Sequence, residues 1–129
     1  MFDSELSILA IYGLVVAISV ALQTSGAISQ FGVSYLLSAR DEARSASGTT
    51  ARLDRAQNNA IQAMVLFAPA ILILAVKGTF SDTSLIAAQV FLIARVIYLP
   101  AYALGITGLR TLTWLVGFLA TISLYFLAL

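Results

Sequence analysis

Four apolar runs, at residues 6–22, 56–76, 85–104 and 112–129, occupy most of this chain of 129 residues. Crossing the hydrocarbon of a bilayer as helix takes roughly 17–25 residues, and each run meets that length. Lipid offers no hydrogen-bond partner to exposed backbone, so a span of this kind resolves as helix. With 60% hydrophobic and 10% charged residues, a soluble domain of this size would show water a large apolar surface. The expected fold class is therefore all-α, an integral membrane four-helix bundle forming one domain over residues 1–129, with spans at about 5–27, 56–76, 84–104 and 111–129. Asp3 and Glu5 precede the first run where a cleaved signal peptide would carry Lys or Arg, which favours a retained span.

The polar sequence lies between the runs. Beyond Leu22 the pattern stays helical but less apolar, with Gln23, Gly26, Gln30 and Ser34 near one face, so the first helix is expected to outrun the bilayer. The stretch 40–55, rich in Arg, Ser and Thr, reads as the main connection, a loop over about 38–54. Residues 77–82 make a short turn with Ser81 or Asp82 as helix N-cap, and residues 105–108 make the last one. Arg40, Arg44, Arg52, Arg55 and Arg110 flank the first and third connections, whereas Lys77 alone marks the second. The positive-inside rule then puts the polar loop in the cytoplasm and both termini outside. A formal net charge of +1 with no basic face argues against nucleic acid as a partner. The absence of cysteine and histidine removes disulfides, thiolate nucleophiles, imidazole bases and the usual zinc or haem ligands. No internal repeat or domain boundary is visible.

Arg95 sits about halfway along the third run, and Tyr98 and Tyr102 follow it within an arc of about 60°. An ionised side chain at bilayer depth costs at least ~2.5 kcal/mol, so it persists where a bundle interior or wet cavity receives it. No run carries a carboxylate in its interior, so the expected partners of Arg95 are backbone carbonyls, a loop acid such as Asp54, or a bound anion. On the second run Arg52, Arg55, Asn59 and Gln62 share an arc of about 80°. Two readings stay open for each stripe: headgroup anchoring and core packing, or a ligand pocket whose amides bond across helices. Pro100 is expected to kink the third helix near Val96. At the start of the fourth run, Arg110 occupies a helix N-terminus that already favours anions, and Thr111 beside it offers a hydroxyl. Trp114 reads as an interfacial anchor and Gly117 as a site of close helix contact.

Two blocks resemble the MAPEG family, the membrane-associated proteins of eicosanoid and glutathione metabolism, in particular its short prokaryotic branch. The first is Arg52-Leu-Asp-Arg55-Ala-Gln-Asn-Asn59-Ala-Ile-Gln62, similar to the family's Arg-Ala-His-x-Asn-x-x-Glu element. The second, more specific block is Ala94-Arg95-Val-Ile-Tyr98-Leu-Pro100-Ala-Tyr102, followed by Gly-Leu-Arg110-Thr111. The resemblance implies a homotrimer of four-helix protomers in a bacterial inner membrane, with glutathione as co-substrate between neighbouring protomers near the cytoplasmic face. It implies that Arg52, Arg55, Asn59, Gln62, Arg95, Tyr98 and Tyr102 bind glutathione, and that Arg110 with Thr111 stabilises its thiolate. A hydrophobic small molecule would then be the second substrate, with membrane lipids as the remaining partners. Gln57 stands where a histidine is frequent and Gln62 where a glutamate is usual, so the charge at the latter position is missing.

The leading expectation is a glutathione transferase or peroxidase acting on lipophilic electrophiles. A non-catalytic protein holding a lipid headgroup or other anion in the same pocket is the alternative. A small cation exporter fits the span count but lacks the intramembrane carboxylate that proton exchange requires.

Overall fold

The first helix, α1 (Glu5–Phe31), opens at Ser4, whose side chain accepts a hydrogen bond from the Ser7 backbone N–H at 3.1 Å in the computed structural model, which describes residues 2–129. It ends at Gly32, whose φ of 82° suits glycine and turns the chain into a short helix, α2 (Val33–Leu37). Helix α3 (Gly48–Lys77) stops at Gly78 in the left-handed conformation, where the Gly78 and Thr79 amides satisfy the Ala75 and Leu74 carbonyls. Helix α4 (Asp82–Ala103) starts with a capping box between Ser81 and Ser84, so the cap is Ser81 rather than Asp82. Helix α5 (Thr107–Ala128) completes an all-α chain, and α1, α3, α4 and α5 are each long and apolar enough to cross a membrane.

The polar connection is shorter than its composition suggests. Residues 48–54 form the first turns of α3 rather than loop, so Arg52 and Asp54 stand on a helix. Hydropathy marks where a helix enters lipid, whereas hydrogen bonding continues into water as long as the residues tolerate it. For the same reason α1 runs on to Phe31, past the end of its apolar run.

The strongest helix pairings are α4 with α5 and α1 with α3. Tight turns join α3 to α4 and α4 to α5, so these neighbours run antiparallel. Phe67 of α3 and Phe91 of α4 stack with centroids 3.8 Å apart, and Tyr12 of α1 meets Phe91 edge-on at 4.8 Å. Ala63, Ala70, Ala88 and Ala120 complete this core and let the helices approach closely. Leu14, Val65, Val76 and Ile93 face outward, an apolar coat that suits lipid.

The two ends of the bundle differ. At the end carrying the α3–α4 turn, the buried Glu5 accepts a hydrogen bond from Ser84 Oγ, and Lys77 Nζ donates to the Ala128 carbonyl at 2.6 Å and the Leu129 carbonyl at 3.2 Å. At the loop end the charged residues are mostly arginines.

Candidate functional site

Arg95 lies eight residues before the end of α4, which places its Cα about 12 Å inside the loop end. It is 5% exposed. Its Nη1 donates to Asn59 Oδ1 at 2.9 Å, and its guanidinium carbon lies 5.6 Å from the ring centroids of both Phe91 and Tyr98. Neither a backbone carbonyl nor Asp54 receives Arg95, which corrects that part of the sequence expectation: among the described residues its partners are one neutral amide and two aromatic faces. These satisfy donor geometry and quadrupole attraction without cancelling the charge. Arg95 Nε is buried with no hydrogen-bond partner. It lies against Gly117, where an added Cβ would come within 2.9 Å of it. Glycine at this position of α5 is what gives the guanidinium its room.

Toward the loop end the aromatic ladder continues. Tyr98 is buried and meets Tyr102 edge-on with centroids 5.6 Å apart. The Tyr102 hydroxyl accepts from Arg55 Nε at 3.1 Å, while the guanidinium carbon of Arg110 lies 5.0 Å from the Tyr102 ring centroid. One tyrosine therefore gathers arginines from α3 and α5 around α4. Tyr98, Arg110, Thr111 and Trp114 line a cavity of about 100 Å³ beside it. Trp114 stacks on Phe118, with centroids 5.3 Å apart, which holds the indole at the rim.

The remaining sequence candidates divide. Arg52 Nε donates to the Ala103 carbonyl at 3.0 Å and its Nη2 to Thr49 Oγ1 at 3.1 Å, so it caps the last carbonyls of α4 beside the site. Thr111 Oγ1 donates to the Thr107 carbonyl at 3.0 Å. Its hydroxyl proton is thus engaged with the helix backbone, and the side chain stands on the cavity wall. Gln62 is not gathered with the others. It faces outward from α3, as Asn58 does, and neither amide has a hydrogen-bond partner among the described residues. The structure also adds Tyr12 and Phe91, which the sequence reading passed over. Tyr12 is fully buried and donates to the Ala60 carbonyl at 3.0 Å, and its ring supports Phe91 against Arg95. Its only sequence signal was a phenol within an apolar run, a group that must find a partner when buried.

Arg55, Asn59, Arg95, Tyr98, Tyr102 and Arg110 thus form one continuous polar group drawn from three helices. Among the described residues no three His, Cys, Asp or Glu side chains cluster to hold a metal. Guanidinium groups with fixed partners and no paired acid suit carboxylates and thiolates, and low surrounding polarity strengthens the attraction.

A family model described as MAPEG family matches residues 6–129. The chain belongs to the MAPEG family. Comparison with curated proteins returned no match. Membership places this MAPEG chain among membrane proteins of the glutathione and eicosanoid metabolism type, and it agrees with the four long apolar helices. Both blocks of MAPEG resemblance fold to the loop end of the bundle, where Asn59 from the first bonds Arg95 from the second.

Proposed function

We propose that this protein is a glutathione-dependent membrane enzyme of the transferase or peroxidase type, acting on lipophilic electrophiles. The observation that carries the reading is the meeting of Arg55 and Arg110 at Tyr102, about two turns from Arg95, with no carboxylate paired to any of the three among the described residues. Arg55 and Arg95 hold the peptide carboxylates, Asn59 and Tyr98 orient polar atoms, and Arg52 keeps the end of α4 in place. Arg110 stabilises the thiolate. Each unit by which it lowers the thiol pKa corresponds to about 1.4 kcal/mol of preferential binding to the ionised form. The thiolate then attacks an electrophilic carbon of a substrate arriving from the bilayer. A C–S bond forms, and either a leaving group departs with its electron pair or the resulting carbanion takes a proton. Thr111 joins the sulfur as a donor when it releases the Thr107 carbonyl.

The working form is a homotrimer with the site between protomers. The outward amides of Asn58 and Gln62 support this, because unpaired amides in lipid find partners on an adjacent helix. The arginine-rich end faces the cytoplasm and both termini lie outside, in keeping with the positive-inside rule, and the resemblance to the prokaryotic branch supports a bacterial inner membrane.

Ultraviolet titration of glutathione bound to the purified protein tests the assignment. Wild type is expected to show thiolate absorbance at neutral pH, and Arg110→Ala is expected to lose it. If the substitution leaves both the absorbance and the affinity unchanged, Arg110 has no such role. The neutral Gln62 favours a second reading, a non-catalytic pocket for a lipid headgroup. Native mass spectrometry showing a retained phospholipid and no glutathione binding would select it.

A further inference from the structure

The charge balance of this site is one-sided. Of the chain's six acidic residues, Asp3, Glu5 and Asp82 lie at the opposite end of the bundle, where Glu5 is bonded to Ser84. Asp41 and Glu42 belong to the loop, and Glu42 pairs with Arg44 at 2.7 Å. Asp54 alone stands on α3 near the arginines. It points about 80–140° around the helix from Arg55, Asn59 and Gln62, and among the described residues it forms no ion pair. Of the neutral acceptors, Asn59 Oδ1 accepts from Arg95 and the Tyr102 hydroxyl accepts from Arg55, while the buried, unpaired Gln57 Oε1 points about 160° around α3 from Arg55, away from the stripe. Gln62 adds one uncharged carbonyl on the outer flank of the same stripe.

An ammonium ion brings three donors and a full positive charge, and its desolvation is offset only where a carboxylate or several acceptors receive it. Here it would meet guanidinium groups and one neutral amide. We infer that the pocket reads the anionic groups and the thiol of its ligand but not an ammonium, so that a thiol peptide lacking its amine is as good a ligand as glutathione. The inference rests on the anion-binding reading of this site proposed above. The ligand class is a polyanionic thiol whose amine is absent, acylated or left in solvent.

Competition binding on the full chain in lipid nanodiscs tests this with two probes. One is glutathione, and the other is glutaryl-cysteinyl-glycine, the same tripeptide framework with hydrogen in place of the amine. The expected result is that the amine-free peptide binds within about threefold of glutathione or more tightly. Binding of glutathione alone would overturn the inference while leaving the glutathione reading standing. Binding of the amine-free peptide alone would support the inference and overturn the glutathione reading, and binding of neither would overturn both. The wild-type ratio decides by itself.

Discussion

Gly117→Ala is a one-carbon change whose effect follows from the crowding around Arg95. The new Cβ would lie 2.9 Å from Arg95 Nε, 3.4 Å from Cζ and 3.6 Å from Cδ. The first distance is shorter than packed atoms sustain, so something must move. The guanidinium is held on its far side by Asn59 and is 5% exposed, which leaves two responses. If Arg95 stays, the overpacked contact costs about 1–3 kcal/mol. If it swings away, a hydrogen bond from a charged group is lost, at about 1.5–3 kcal/mol. Alanine returns about 1 kcal/mol through helix propensity, so the net destabilisation is about 0–2 kcal/mol. Chemical unfolding in detergent micelles, followed by the fluorescence of Trp114, measures it, since this is the only tryptophan and lies one turn from Gly117. The decisive control is the same substitution beside Arg95→Met, whose flexible side chain can repack around the added methyl. There the propensity gain should dominate and Gly117→Ala should stabilise. Equal effects in the two backgrounds would refute the claim that glycine is needed here for the guanidinium.

Asn59→Ala removes the one side-chain acceptor that Arg95 has among the described residues; a loss of about 1.5–3 kcal/mol by the same unfolding assay is expected, and a loss under about 0.5 kcal/mol would show that the aromatic faces suffice. Ser81→Ala removes the cap of α4 at the opposite end, which should cost about 0.5–2 kcal/mol and leave glutathione affinity within error by calorimetry.

The spans were legible because run length and polarity are one-dimensional properties, and lipid leaves helix as their single solution. Helix ends were less so: residues 48–54 are polar because they leave the bilayer, yet they remain helical. In the site, periodicity put Arg95, Tyr98 and Tyr102 on one face correctly, since that depends on a single helix. The Arg95–Asn59 pair was not deducible, because it requires the relative rotation and depth of α3 and α4. Gln62 shows the same limit. It shares an outward flank with Arg55, as the angles implied, but Arg55 has a long side chain that reaches back to Tyr102, whereas the shorter amide does not. Angular position on a helix fixes where a side chain starts, and its length decides what it touches.

The contrast between the two ends of the bundle gives this asymmetry a physical meaning. At the α3–α4 end the polar groups have internal matches: the buried Glu5 is met by Ser84, and the exposed Lys77 by the carbonyls closing α5. At the loop end Arg95 keeps an unmatched Nε, while Arg55 and Arg110 rest on an aromatic ring and hydroxyl that steer them without neutralising them. Guanidinium is the cation best suited to such a state, because it is weakly hydrated and stacks on π faces. Removing only one partner from a buried charge is destabilising, and by the same logic supplying the missing counter-charge is stabilising. On the reading proposed above, an anion entering beside Tyr98, Tyr102 and Arg110 would bind the folded state selectively and raise stability by RT ln(1 + [L]/Kd), about 2.7 kcal/mol at a hundredfold excess over Kd. On that reading, the surplus positive charge that costs the bundle stability is the same feature that would receive the anion.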